Sequence, residues 1–372
     1  MDVPMSKTLA AALAGGLLAV QAVDASAQAY VQVYDLATAN AAVNNPTAAP
    51  SGGMFSVVQG ADGGLYNHLT GNNQTRITRT DRVNGAWVTT EITSDAQWDA
   101  GSPSTTSSDL MYYGFGFSSP TTLQAAAAST DSIYQFDILT GTTTEIVSQA
   151  QINAVTGESS ALIFTNQTVA PDGRHVFYEG RSDNVLRTTG NPLAPVETMI
   201  SSARLTAETG GSVLLGGFTY DAAGRLIFGS GSDDGIWAYD EASDTFEQLI
   251  SAAALTQVTP DVGSIVYRDI FYAPDGRVYF NENLSDDIFA FSLADASDLE
   301  VVVSREDLED GPMNDEIVGQ LTWYEGNLAW SSGSASTSSG IVQGFYAVPE
   351  PGVAGLLGVL GLGCLGRRRR DA

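Results

Sequence analysis

Three observations predict an all-β body, a six-bladed β-propeller. They are a repeat near 52 residues, an Asp/Gly turn at the head of each repeat, and a turn-rich composition of 39 Gly and only 16% charged residues in a chain of 372. A toroid of repeats accommodates this length as one unit, because each repeat packs only on its neighbours.

The chain opens with an address. Residues 1 to 29 carry Lys7, an apolar run from about Leu9 to Val23, and small residues at Ala27 and Ala29. This is the pattern of a secretory signal peptide, with cleavage expected after Ala29 and Tyr30 as the mature start.

The body, residues 30 to 348, keeps a beat. Ala170-Pro171-Asp172-Gly173-Arg174-His175-Val176, Asp221-Ala222-Ala223-Gly224-Arg225-Leu226-Ile227 and Ala273-Pro274-Asp275-Gly276-Arg277-Val278 repeat one hairpin signature, with glycines 51 and 52 residues apart. Glu325-Gly326 and Asp62-Gly63 carry weaker copies. A second landmark is the apolar start of a strand at Ile77, Ile133, Val185, Ile236, Ile288 and Ile341, which counts six units. A third closes units with a strand ending in Ser148, Ser201, Ser251 or Ser304 and a short helical turn. Four strands per unit result. The last unit stops after its third strand, Ile341 to Val348, so Tyr30-Val31-Gln32-Val33-Tyr34 is expected to supply the outer strand and close the ring. Trp98 to Ala128 is poorly patterned, which leaves a seventh blade open.

Composition removes several chemistries. A formal charge of −27 opposes a phosphate backbone, so no nucleic-acid partner is expected. Cys364 is the only cysteine, in the tail, which excludes a disulfide framework, Cys-ligated zinc or an iron–sulfur site from the body. His68 and His175 are the only histidines and Lys7 the only lysine, so the positive charge of the body is all arginine.

Counting back from the repeat glycines places Asn166, Gln167, Arg268, Asp269 and Gln320 on inner strands, at the channel mouth where propellers bind ligands. For Arg268, an ion pair with Asp269 or a neighbouring acid outweighs substrate recognition. Asn67, His68, Glu179, Asn281, Glu282 and Asn283 stand at the ends of second strands. The acidic turns Asp183, Asp233-Asp234 and Asp286-Asp287 read as turn formers ahead of surface Ca²⁺ ligands, because they lack the spacing that wraps one ion.

The tail, residues 349 to 372, has three parts: Pro349-Glu350-Pro351, the apolar segment Gly352 to Gly366, and Arg367, Arg368, Arg369 and Arg370. As a helix the apolar segment reaches about 22 Å, short of the ~30 Å hydrocarbon core, and would span with the arginines snorkelling to the cytoplasmic interface. In this order the three parts resemble the PEP-CTERM sorting signal of exported proteins in Gram-negative bacteria that make exopolysaccharide. The resemblance implies an exosortase-type partner that cleaves near the motif, a transient stay in the inner membrane through the C-terminal transmembrane helix, and final placement at the cell surface or in the extracellular matrix. It covers about 25 residues and concerns sorting alone.

The body's Asp-Gly strand pattern is similar to NHL, gluconolactonase-like and related propellers over some 300 residues, in blade texture and not in catalytic motif. Two functions follow as expectations: a binding or scaffold module associated with exopolysaccharide or, as the lesser reading, a secreted metal-dependent lactonase or hydrolase. The resemblance implies oxygen ligands suited to Ca²⁺ for the second reading; none of the family's ligands carries over residue by residue, and no cofactor is expected for the first.

Overall fold

In a computed structural model of the chain, the described residues are 30–35, 53–71, 74–101, 115–127, 130–259, 267–282, 285–313, 318–332 and 344–348. They form six four-stranded antiparallel sheets, the blades of a β-propeller. Blades 1 to 5 take their strands from residues 53–93, 116–147, 163–200, 214–250 and 267–303 in simple meander order. Blade 6 is composite: strands Val318–Tyr324, Asn327–Ser332 and Gly344–Ala347 are completed by Val31–Asp35 from the start of the body. The expected closure is therefore observed, and the stretch from Trp98 onward supplies a helix end and the inner strands of blade 2.

The repeat signatures have a conformational cause. Gly63, Gly173, Gly224, Gly276 and Gly326 sit between first and second strands with φ from 82° to 88°, which only glycine adopts without cost. The next turn uses Asp131, Asp183, Asp234 and Asp286 at φ from 47° to 56°, where a short acidic side chain tolerates the left-handed region. Ser148, Ser201, Ser251 and Ser304 each accept a hydrogen bond from the backbone N–H three residues on, capping a helix of six to eight residues that leads into the next blade.

The cores lie between blades. In blade 2, Leu123, Ala125, Tyr134 and Phe136 face blade 1, packing with Tyr66 and Ile77. The alternate residues Ala126 and Ile133 face blade 3, packing with Phe177 and Leu186. Strand alternation thus gives every middle strand two buried faces, as in His175–Glu179, where all five residues are buried.

Closure is fixed by aromatics. Tyr30 is completely buried, donates its hydroxyl to Leu308 O at 2.9 Å and accepts from Met313 N at 3.0 Å. Its ring centroid lies 5.2 Å from Trp330 and 5.7 Å from Tyr346. Four residues on, Tyr34 packs its ring 5.4 Å from that of Trp87 of blade 1, tilted by 51°, and donates to Asn67 Oδ1. We expect Tyr30→Ala to cost about 3–5 kcal/mol, the usual range for a buried aromatic. Tyr30→Phe should cost about 1–3 kcal/mol, because it orphans a buried N–H. Urea unfolding of the mature chain measures both, and a loss below 1 kcal/mol for Tyr30→Ala would contradict the closure account.

Candidate functional site

The innermost strands of all six blades surround one cavity of ≈ 160 Å³, lined by residues that include Val58, Phe117, Gln167, Phe218, Asp269 and Gln320. Three of the five expected channel residues, Gln167, Asp269 and Gln320, line it together. Asn166 and Arg268 lie on the inner strands Ile163–Val169 and Tyr267–Tyr272, and their side chains fall outside the described residues.

Each of the three is first an inter-blade tie. Gln167 Oε1 accepts from Ala126 N of blade 2 at 2.7 Å and meets His175 Nε2 at 2.9 Å. Because the backbone N–H fixes that oxygen as acceptor, His175 carries its proton on Nε2. Burial pushes the His175 imidazolium down to about 3, so the ring is neutral. Gln320 Nε2 donates to Phe115 O of blade 2 at 3.4 Å.

Asp269 joins three successive blades. Its Oδ2 accepts from Leu321 N of blade 6 at 2.7 Å, and its backbone N–H donates to Asn281 Oδ1 at 2.9 Å. On the other side it abuts Gly217 of blade 4, where a Cβ would collide with Asp269 Oδ1 and lie 2.8 Å from Ile270 N. Burial pushes the carboxyl up to about 7, against the lowering effect of N–H donors from Leu321 and Ile270.

Two polar atoms remain without hydrogen-bond partners in this ring, Gln167 Nε2 and Gln320 Oε1, one donor and one acceptor. Neutral, held in place and lining a small cavity, they can bind a polar group that both accepts and donates.

The second-strand residues serve the fold. Glu179 accepts from the backbone N–H groups of Leu162, Arg181 and Ser182 and from the Ser182 hydroxyl. Glu282 accepts from Ser285, and Asn281 Nδ2 donates to Val318 O at 3.2 Å. Asn67 holds Tyr34 and Thr80, while His68 is completely buried. Asn283 lies outside the described residues. Glu179, Asn281 and Asn67 spend their carbonyl or carboxylate oxygens on N–H and O–H donors, which does not fit a hard divalent cation. Among the described residues no group of three His, Cys, Asp or Glu side chains could hold a metal ion. The carboxylates of the acidic turns are likewise engaged by protein donors: Asp183 accepts from Tyr178 and Ser212, and Asp233 from Trp237 and Gln248.

A carboxylic acid raised on folding stabilises the folded state fully below its unfolded value, about 4. That contribution is lost as pH rises toward 7. His175 acts oppositely, destabilising as pH falls below about 6.5. Comparing Asp269→Asn with the parent separates the two. The variant's stability relative to the parent should rise by roughly 2–4 kcal/mol between pH 4 and pH 8, at about 1.4 kcal/mol for each pH unit titrated. A difference independent of pH would contradict the buried, protonatable carboxyl.

No protein-family model matches the sequence, and no curated protein matches it. Solved structures do. A PQQ-bound aldose sugar dehydrogenase from Streptomyces coelicolor aligns at 15% identity and TM-score 0.50, covering 86% of this chain and 96% of that one. A luciferin-regenerating enzyme aligns at 11% identity and TM-score 0.50, covering 81% and 93%. A Bacteroides thetaiotaomicron protein of unknown function aligns at 10% identity and TM-score 0.51, covering 79% and 68%. At these identities the likeness is one of fold. The neighbours are propellers of the NHL and gluconolactonase-like kind.

Proposed function

We propose that this chain is an exported surface or matrix protein whose propeller is a binding or scaffold module associated with exopolysaccharide. The observation that carries the binding reading is the state of the channel groups. Gln167, Asp269 and Gln320 each hold another blade, and what they leave for a ligand is a neutral donor and a neutral acceptor. Such a pair recognises polar groups without breaking bonds; a nucleophile with an adjacent base, which hydrolysis would call for, is a different arrangement.

Export and sorting rest on the two ends of the sequence, which lie outside the described residues. An apolar run followed by Ala27 and Ala29 supports cleavage before Tyr30. Pro349-Glu350-Pro351, the apolar segment and the four arginines support retention in the inner membrane until an exosortase-type enzyme cuts at the outer boundary. The two prolines impose an extended approach that a protease can bind as a strand.

Replacing Pro349, Glu350 and Pro351 with alanine should leave export intact and trap the uncut protein in the inner membrane. Fractionation followed by mass spectrometry of the C-terminus reads this directly. Surface protein lacking its C-terminal segment despite the triple substitution would refute the sorting reading. For the body, mature protein should co-sediment with exopolysaccharide from the producing cells, and no co-sedimentation under any salt condition would refute the binding reading.

A further inference from the structure

A second and larger cavity lies away from the channel. It occupies ≈ 710 Å³ between blades 2 and 3, walled by Gln124, Gln135 and Ile146 on one side and by the turn Asp172-Gly173-Arg174 and the loop from Thr188 to Pro195 on the other. That is the volume of a ligand pocket, not of a packing defect.

The groove exists because one level of the inter-blade packing is left unfilled. Five blades place a cross-strand pair at the same register position: Tyr66 with Arg79, Gln124 with Gln135, Val176 with Arg187, Ile227 with Ala238, and Tyr279 with Ala290. In blade 1, Tyr66 meets Phe117 of blade 2 at 5.1 Å. In blade 3, Arg187 pairs with Glu241 of blade 4. In blade 4, Ile227 and Ala238 join a core with Ile270 and Val278 of blade 5. In blade 5, Tyr279 meets Trp323 of blade 6 at 6.3 Å. Each of these four interfaces is sealed by an aromatic, an arginine or an apolar pair. Blade 2 instead presents two amides.

One of those amides is placed at a cost. Gln124 is only 6% exposed, and its Oε1 has no hydrogen-bond partner. A buried acceptor left unpaired is destabilising, so its presence in a native fold calls for an occupant. One level deeper, Ala126 and Ile133 pack tightly on Phe177 and Leu186, so the opening is confined to the Gln124 level.

We infer that this groove is a binding site for a neutral saccharide. Two side-by-side amides match adjacent sugar hydroxyls, each of which donates and accepts. Pro192 and Pro195 offer an apolar wall for the C–H face of a sugar ring, and Leu193 between them is 94% exposed at the rim. The charges at the rim cancel: Arg174 pairs with Asp172 at 2.5 Å. With a chain charge of −27 around it, the groove disfavours an acidic polymer. A peptide strand would need a free sheet edge, whereas these walls are strand faces and turns. The ligand class rests on the saccharide-binding reading above, and the site does not.

The test titrates the full mature chain, by calorimetry, with a panel of neutral trisaccharides built from glucose, galactose and mannose in α and β linkages. At least one should bind, and Gln124→Leu and Gln135→Leu should each weaken it at least tenfold. Gln124→Leu should keep or raise the melting temperature, because it removes an unpaired buried acceptor. Loss of binding with an unchanged or higher melting temperature separates a ligand contact from a folding defect. Binding undiminished in both variants but lost in Gln320→Leu overturns this site and leaves the binding reading standing. No trisaccharide binding, with acidic polysaccharide or peptide bound instead, overturns the ligand class.

Discussion

The pairing of Val31–Asp35 with Gly344–Ala347 is the interaction on which the other parts of the body depend. Without it blade 6 is a three-stranded sheet with a free edge, and among the described residues the first and last blades keep only side-chain packing such as that of Val57 and Leu65 on Tyr324 and Ala329. The ladder is short, and its register shifts between Gln32 and Tyr34. Side chains therefore reinforce it. Tyr30 reaches past the strand to tie the chain between Leu308 and Met313, and Tyr34 extends the joint to blade 1 through Asn67 and Trp87.

With the ring closed, the remaining structure is a set of interfaces, each shaped by what alternate residues of the middle strands present. Deep levels are apolar and interchangeable from blade to blade. Nearer the channel, polar side chains take over: Gln167, Thr219 and Asp269 each accept a backbone N–H from an adjacent blade. These bonds satisfy groups that would otherwise be buried and unpaired. They also explain the packing of Gly217, whose missing side chain makes room for the Asp269 carboxyl. The amides at Gln124 and Gln135 break this rule, which is why they point to a ligand.

Most of the fold was legible because its turns need particular residues. Gly173, Gly224 and Gly276 recur where φ must be positive, and Ser148, Ser201, Ser251 and Ser304 recur where helices must be capped. Blade 2 was harder to read because its first turn is built from Pro120 and Thr121 and carries no glycine. The site was legible only in part. Position on an inner strand follows from counting, and Gln167, Asp269 and Gln320 do share the cavity. What each side chain bonds is set by another blade, 41, 52 and 205 residues away in the chain, which no local pattern reveals. The groove beside Gln124 was missed for the same reason. The visible signal was two glutamines, Gln124 and Gln135, at places where the other repeats carry aromatic, aliphatic or arginine side chains.

Native-state hydrogen exchange on the mature chain tests the central claim most directly. If the composite blade holds the ring, the paired amides of Val31–Asp35 and Gly344–Ala347 should exchange only through global unfolding, with the same free energy as those of Asn327–Ser332. Faster exchange at Val31–Asp35, at a free energy well below the global value while the other blades stay protected, would show that the ring stands without this joint.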